Sequence, residues 1–202
     1  MKVHVTGAAL KASLLQTAKQ DIRYYLNGIC IEVFEKETRV IATDGHRLSV
    51  VRVAAENEGV THGTQFIIPR ATVESMKISK AALKHPIVIE GPSEAGEYRA
   101  TGGFGVAVFR AVDGVFPPYR RVVPIEVSGE PAQYNPAYLA DMRKSVEMLG
   151  SKRIHVQYNG TGAAIVTAED TKIDFVGVVM PERWTDKDKK PHAPPDTSWA
   201  CT

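Results

Sequence analysis

Asp44 and His46, in the stretch ATDGHRLSV, are the residues whose types and spacing best suit proton transfer. A carboxylate beside an imidazole can move a proton, but catalysis also needs a nucleophile or a third orienting group, and none is identifiable here. The simpler reading of Thr43-Asp44-Gly45-His46 is a hairpin turn, because Asp and Gly supply turn chemistry between two β-rich runs. No glycine-rich phosphate loop, metal cluster or recognisable triad occurs elsewhere, so the chain reads as a non-enzyme with no cofactor. Cys30 and Cys201 lie far apart with no metal-ligand spacing, which suits a reducing, cytoplasmic setting.

Positive side chains recur at positions suited to phosphate. Lys11 and Lys19 belong to a first helical segment, Lys77, Lys80 and Lys84 to a second, and Arg143 and Lys144 to a third, with Lys152 and Arg153 beyond it. Lys77, Lys80 and Lys84 fall at i, i+3 and i+7, one face of a helix. Phosphate contacts of this kind are independent of base sequence and sensitive to salt. The competing reading is an ordinary solvated helix face, and a formal net charge of +2 does not by itself announce a nucleic-acid binder.

Those residues need elements to hold them. Three segments with helix start signals begin near residues 8, 71 and 136, each followed by β-branched, alternating stretches, so the spacing of about 65 residues predicts a repeated α+β unit. In the first unit Val3 and Val5 open a strand, Leu10, Leu14 and Ala18 form a helical face, and strands follow over 24–34 and 38–53. In the second, Phe66 to Ile68 leads into Pro69 and a helix, with strands at 87–90 and 105–112. The third helix starts at Pro136, carries Leu139, Met142, Val146 and Leu149, and ends at Gly150; strands follow at 154–158, 163–167 and 173–180. Val178 and Val179, in an apolar run, read on their own as a buried last strand. The charged, proline-rich stretch 184–202, with Trp184 and Trp199, reads as a flexible tail without a regular element. No run approaches the ~20 apolar residues of a membrane span, and the N-terminus lacks the apolar core of a signal peptide.

Four stretches taken together resemble the bacterial replicative sliding clamp family, the β subunit of DNA polymerase III. They are QDIRYYLNG (20–28), ATDGHRLSV (42–50), VDGVFPPYRRVVP (112–124) and VVMP (178–181), in the family's order. The resemblance implies a DNA-clamp-like α+β fold of half-domain units, each one helix packed on antiparallel strands, with three such units in this chain. Residues 1–124 look like a complete clamp domain and residues 125–183 like a single half-unit.

The resemblance also implies a peptide-binding groove lined by Leu26, Thr43, Gly45, His46, Arg47, Leu48, Pro117, Arg121, Val122, Val178, Val179, Met180, Pro181 and Arg183. Leu, Val, Met and Pro suit an apolar trough for Leu or Phe anchors, and the cations suit peptide carbonyls or carboxylates. Glu182 stands where the family usually has an apolar residue. Toward DNA the resemblance adds Gln20, Tyr24 and Tyr25, with Arg23 beside them, to Lys11, Lys19, Lys77, Lys80, Lys84, Arg143 and Lys144. It thus implies a processivity or tethering factor that binds polymerase or repair proteins through the groove and encircles duplex DNA as a homo-oligomer, dimer or tetramer. A lone half-unit would expose sheet edges, and pairing of third units between two chains is one remedy. The alternative is a peptide-binding decoy or regulator that keeps the groove without encircling DNA.

Overall fold

The computed structural model describes residues 1–182, 196 and 198–201. Strand β1 (Lys2–Thr6) alternates half-buried polar residues with buried Val3 and Val5, and Thr6 then caps helix α1 (Gly7–Leu14) by accepting the Ala9 amide at 3.2 Å. Three strands follow: β2 (Gly28–Val33), β3 (Glu37–Thr43) and β4 (Arg47–Ala54). The second unit repeats that order with β5 (Thr64–Pro69), α2 (Arg70–Ser75), β6 (Pro86–Glu90), β7 (Glu97–Gly102) and β8 (Gly105–Arg110). The third consists of α3 (Pro136–Leu149), β9 (Ile154–Gln157), β10 (Ala164–Ala168) and β11 (Phe175–Val179). Asn135 caps α3 through the Ala137 amide and Gly150, at φ 110°, terminates it, so both ends fall where Pro136 and Gly150 predict.

Among the described residues all strand pairs are antiparallel and form two sheets, ordered β1-β6-β7-β8 and β5-β2-β3-β4-β11-β10-β9. The first two units exchange their leading strands: β1 pairs with β6, and β5 pairs with β2. The third unit joins the first through β11 against β4. The main core lies between the sheets and the helices, with Val3, Leu10, Ile29, Ile31, Ile68, Ile87, Ile89, Met142 and Val146 among its members. Buried Ser145 ties α3 to α1, donating to the Ala12 carbonyl at 2.8 Å and accepting from Gln16 Nε2 at 3.1 Å, so the polar groups at that contact are satisfied.

Three expectations require correction. Helix α1 ends at Leu14, so Ala18 and Lys19 lie beyond the first helix. Lys77, Lys80 and Lys84 do not share a helical face, because α2 ends at Ser75 and Lys77 takes φ 46°. Met76 and Ile78 are both buried, and residues two apart cannot lie on one helix face, so the chain leaves the helix to bury both. Strand β7 was not expected from the sequence; only Tyr98 and Ala100 mark its inner face. In the tail, Ser198–Cys201 form a short 3-10 turn, while Trp184 lies outside the described residues. Among the described residues no helix is long and apolar enough to cross a membrane.

Candidate functional site: an outer-face groove and a basic helix face

Period-two alternation assigns each strand of the larger sheet one face toward the helices and one outward. Cys30, Ile41, Leu48, Ile67 and Val178 point outward and would be exposed were they not covered by Leu26, Phe116 and Tyr119 in a second hydrophobic cluster. Leu26 ends a 3-10 turn (Tyr24–Leu26), while Phe116 and Tyr119 belong to the connection that follows β8. Burial pushes the Cys30 thiol well above its ordinary range, and the nearby Glu32 charge adds to that.

At the end of this cluster a recess of about 340 Å³ opens, lined by Arg23, Leu26, Thr43, Gly45, His46, Arg47, Leu48, Pro117, Pro118, Tyr119, Arg121, Val122, Val178 and Met180. Leu26, Leu48 and Val178 are buried and form its floor, whereas Val122 and Met180 stand about half exposed at its mouth. Four segments distant in sequence thus meet at one apolar hollow with a cationic rim, an arrangement suited to a short extended ligand with apolar anchors.

The hairpin between β3 and β4 supports one wall. Gly45 adopts φ 91°, and Asp44 Oδ1 accepts the amides of His46 at 2.9 Å and Arg47 at 3.1 Å. Asp44 is therefore occupied by its own turn and by Arg47 Nε at 2.9 Å, so the hairpin-turn reading holds and the carboxylate is not hydrogen-bonded to the His46 imidazole. Arg47 continues inward: Nη1 donates to Asp141 of α3 at 2.8 Å, Nη2 to the Leu15 carbonyl at 2.8 Å, and its guanidinium lies 4.5 Å from the Tyr138 ring centre. Desolvation opposes ionisation of Asp141, yet the Arg47 and Lys144 hydrogen bonds outweigh it and hold the carboxyl below its usual value.

A buried carboxylate supports the opposite wall. Glu32, 2% exposed, lies across from Arg39 on β3 and Gln65 on β5. It accepts from Tyr119 Oη at 2.7 Å, Arg120 Nη1 at 2.9 Å and Nη2 at 2.6 Å, and Gln65 Nε2 at 2.8 Å. Burial alone would raise the Glu32 carboxyl, but the bonds from Arg120, Tyr119 and Gln65 prevail and keep it below the ordinary glutamate value. The 3-10 turn Tyr119–Arg121 is thereby fastened to the sheet, and with it Pro117, Arg121 and Val122.

The structure brings together eleven of the fourteen residues that the resemblance names for the groove, and places two of the others, Val179 and Pro181, outside it. Val179 is fully buried in the helix-side core, as strand parity requires with Val178 facing outward. Pro181 does not line the recess, and Arg183 lies outside the described residues. Pro118 and Tyr119 join the wall from within the PPYRR motif. Arg23 lines the recess too, held by Asp21 through bonds of 3.0 and 2.7 Å and packed over Gly45; these bonds lower the Asp21 carboxyl to about 2.

On the helix side, Lys11, Lys80 and Lys144 converge on a second recess of about 550 Å³ with Ile78, Leu83, Glu147 and Met148, one lysine from each unit. Lys77 and Lys84 do not line it. Lys144 is paired with Asp141 at 3.1 Å and Arg143 with Glu147 at 2.6 Å. Lys19 and Gln20 border a separate polar hollow with Arg70, and Tyr24, about half exposed, meets Tyr25 edge to face at 5.8 Å. Among the described residues no group of three His, Cys, Asp or Glu side chains is arranged to hold a metal ion.

Comparison with known proteins agrees with this architecture. Residues 4–118 match the family model for the central domain of the DNA polymerase III beta subunit. The chain is 36% identical over 116 residues to the beta sliding clamp of Salmonella typhimurium, covering 57% of this chain and 30% of the relative. It is 35% identical over 133 residues to that of Vibrio cholerae, covering 63% and 35%. The matched stretch thus spans about a third of these relatives' length. The fold is similar to a crystal structure of the Pseudomonas aeruginosa DNA polymerase sliding clamp, with a TM-score of 0.73 at 22% identity over 91% of this chain and 66% of that one. A putative DNA polymerase III beta subunit from Eubacterium rectale gives 0.70 at 13% identity over 90% and 65%. By its fold and its match over more than half its length, the chain belongs to the DNA polymerase III beta subunit family, the sliding clamps.

Proposed function

We propose that the protein is a non-enzymatic tethering factor that captures extended peptides from polymerase or repair proteins in the outer-face recess and associates with duplex DNA through its helix side. The observation that carries this reading is the convergence of Leu26, Leu48, Val178 and Met180 on one hollow beneath the Pro117–Val122 wall. An open apolar hollow with Arg121 at its rim gives Leu or Phe side chains a place to be buried and peptide carbonyls a donor. The three lysines from three units support the DNA half of the proposal, because a cluster at one recess offers phosphate several contacts at once.

The test pairs two titrations. Reversing Lys11, Lys80 and Lys144 together to Glu is expected to abolish salt-sensitive association with duplex DNA and leave peptide binding unchanged. If parent and triple variant bind DNA alike, the helix side has no such role, and the peptide-binding regulator becomes the better reading.

A further inference from the structure

The first two units show how one unit covers another. Valines of β1 oppose isoleucines of β6, Val5 against Ile87 and Val3 against Ile89, and on the other side Ile68 and Phe66 of β5 oppose Ile29 and Ile31 of β2. In both joints the residue two places before a helix meets the first inward residue of the first strand after the other unit's helix. The four isoleucines so covered are at most 2% exposed.

The third unit has both halves of this joint and a mate for neither. Tyr134 and Ala132 stand two and four places before α3 and pack on the core, as Val5 and Val3 do before α1. The Glu182 amide donates to the Gln133 carbonyl at 2.8 Å, as the Val112 amide donates to that of Ile67 at 2.9 Å, so the outer edge of 131–135 is closed as that of β5 is. Its other edge is open: among the described residues no backbone hydrogen bond involves Ala132 or Tyr134. β9 is likewise the end strand of its sheet. Its inward residues Ile154 and Val156 are only half-buried, and so is Leu139, whereas Leu10 and Val73, at the same place in α1 and α2, are buried. Proteins normally cover an open core of this kind.

Peptide groups alternate sides along an extended chain. The Gln133 carbonyl points to Glu182, so the peptide groups of Ala132 and Tyr134 point to the open side; the Arg153 carbonyl accepts the Glu169 amide at 3.0 Å on the β10 side, so those of Ile154 and Val156 point to the open side as well. Free backbone groups and inward side chains thus fall on the same residues in both segments. We propose that the third units of two copies pair about a twofold axis, residues 131–135 of each lying antiparallel on β9 of the other, with Tyr134 opposite Ile154 and Ala132 opposite Val156 of the second copy. The occupant is a second copy because the joint needs a leading segment and a first strand at once, and the third unit offers both. The chain's own stretch 184–202 carries Pro191, Pro194 and Pro195 without apolar alternation, so it does not suit the open edge. The two seams are identical, and the contact closes at two chains. The proposal stands apart from peptide capture and from DNA.

The test is sedimentation equilibrium of the full chain across roughly 0.1 to 100 µM, a range that brackets a two-seam interface. All proteins carry V106K/V108K, two exposed positions on β8, so that the open edge of the four-stranded sheet adds no contact of its own. A reversible dimer is expected, and Val156→Lys and Ala132→Pro are each expected to raise its dissociation constant by at least about tenfold. Val156 is half-buried at an open edge, where a lysine stem can lie along the surface, and the Ala132 amide has no partner within the described residues, so both variants are expected to fold. In a Cys201→Ser background, a mixture of Gln133→Cys and His155→Cys proteins is expected to form more disulfide dimer than either alone, because the register sets these exposed residues opposite each other. A chain that stays monomeric across the range overturns the proposal, as does a dimer that either substitution leaves unchanged, or a mixture that crosslinks no better than its components. None of these results bears on peptide capture, which is measured separately.

Discussion

The two faces of the larger sheet are built by different means. On the outer face the recess is fixed by strand parity and by two buried ionic anchors, Glu32 under one wall and Arg47 under the other. On the helix side the cations come from separate elements, and Arg143 and Lys144 are ion-paired at the surface. A surface pair contributes little to stability, so this face tolerates change that the anchored face does not. Substitutions should therefore separate the two faces by size of effect.

The largest effect is expected at Glu32. Glu32→Ala leaves the Tyr119 hydroxyl, the Gln65 amide and Arg120 without their shared acceptor, and about 2 to 3 kcal/mol of stability should be lost in urea denaturation; Arg120 is half exposed, which moderates the cost. The wall from Pro117 to Val122 should loosen first, seen as faster amide exchange there than in β2. A loss no greater than that of a surface substitution would remove Glu32 as an anchor.

Next in size is the recess floor. Leu48→Ala should weaken a Leu- and Phe-containing peptide by about 1 to 3 kcal/mol, measured by fluorescence titration, because it truncates a buried anchor contact. Equal affinity for both proteins would place the peptide elsewhere.

The pH dependence of stability distinguishes the anchors from the surface pairs. The Glu32 carboxyl is depressed in the folded state, so its contribution is complete above the unfolded value near 4.5 and disappears as pH falls through the lower folded value. The stability gap between parent and Glu32→Gln should accordingly narrow on acidification below about pH 4.5, followed by urea melts at stepped pH. A gap that is constant down to pH 2 would contradict the ionised anchor.

The smallest effects belong to the helix side. Single charge reversals at Lys11, Lys80 or Lys144 should each reduce the slope of log affinity for DNA against log salt by about 1, while Lys77 and Lys84, which do not line the recess, change it less. A larger effect from Lys77 and Lys84 would restore a basic face that the fold does not build at α2.

The same contrast explains what was legible in the sequence. Turn and cap chemistry at Asp44-Gly45, Asn135-Pro136 and Gly150 act locally, so the hairpin and α3 fall where expected. The floor residues Leu26, Leu48 and Val178 were reachable only through a resemblance spread over four stretches, since each alone reads as core. Val179 was misplaced because adjacent residues on a strand face opposite ways and a motif does not record which way. The lysine face failed for a tertiary reason, the joint burial of Met76 and Ile78, which helical spacing cannot reveal. Glu32 carried no local signal, because its donors come from residues 65, 119 and 120.

Peptide capture is the central claim, and calorimetric titration of a short extended peptide bearing Leu and Phe anchors into the parent and Met180→Ala tests it most directly. Met180 stands at the mouth of the recess and is 46% exposed, so its truncation leaves the fold intact. The account predicts saturable one-to-one binding to the parent and an affinity reduced by roughly 1 kcal/mol or more in the variant. Identical isotherms for the two proteins, or no heat of binding to either, would contradict it.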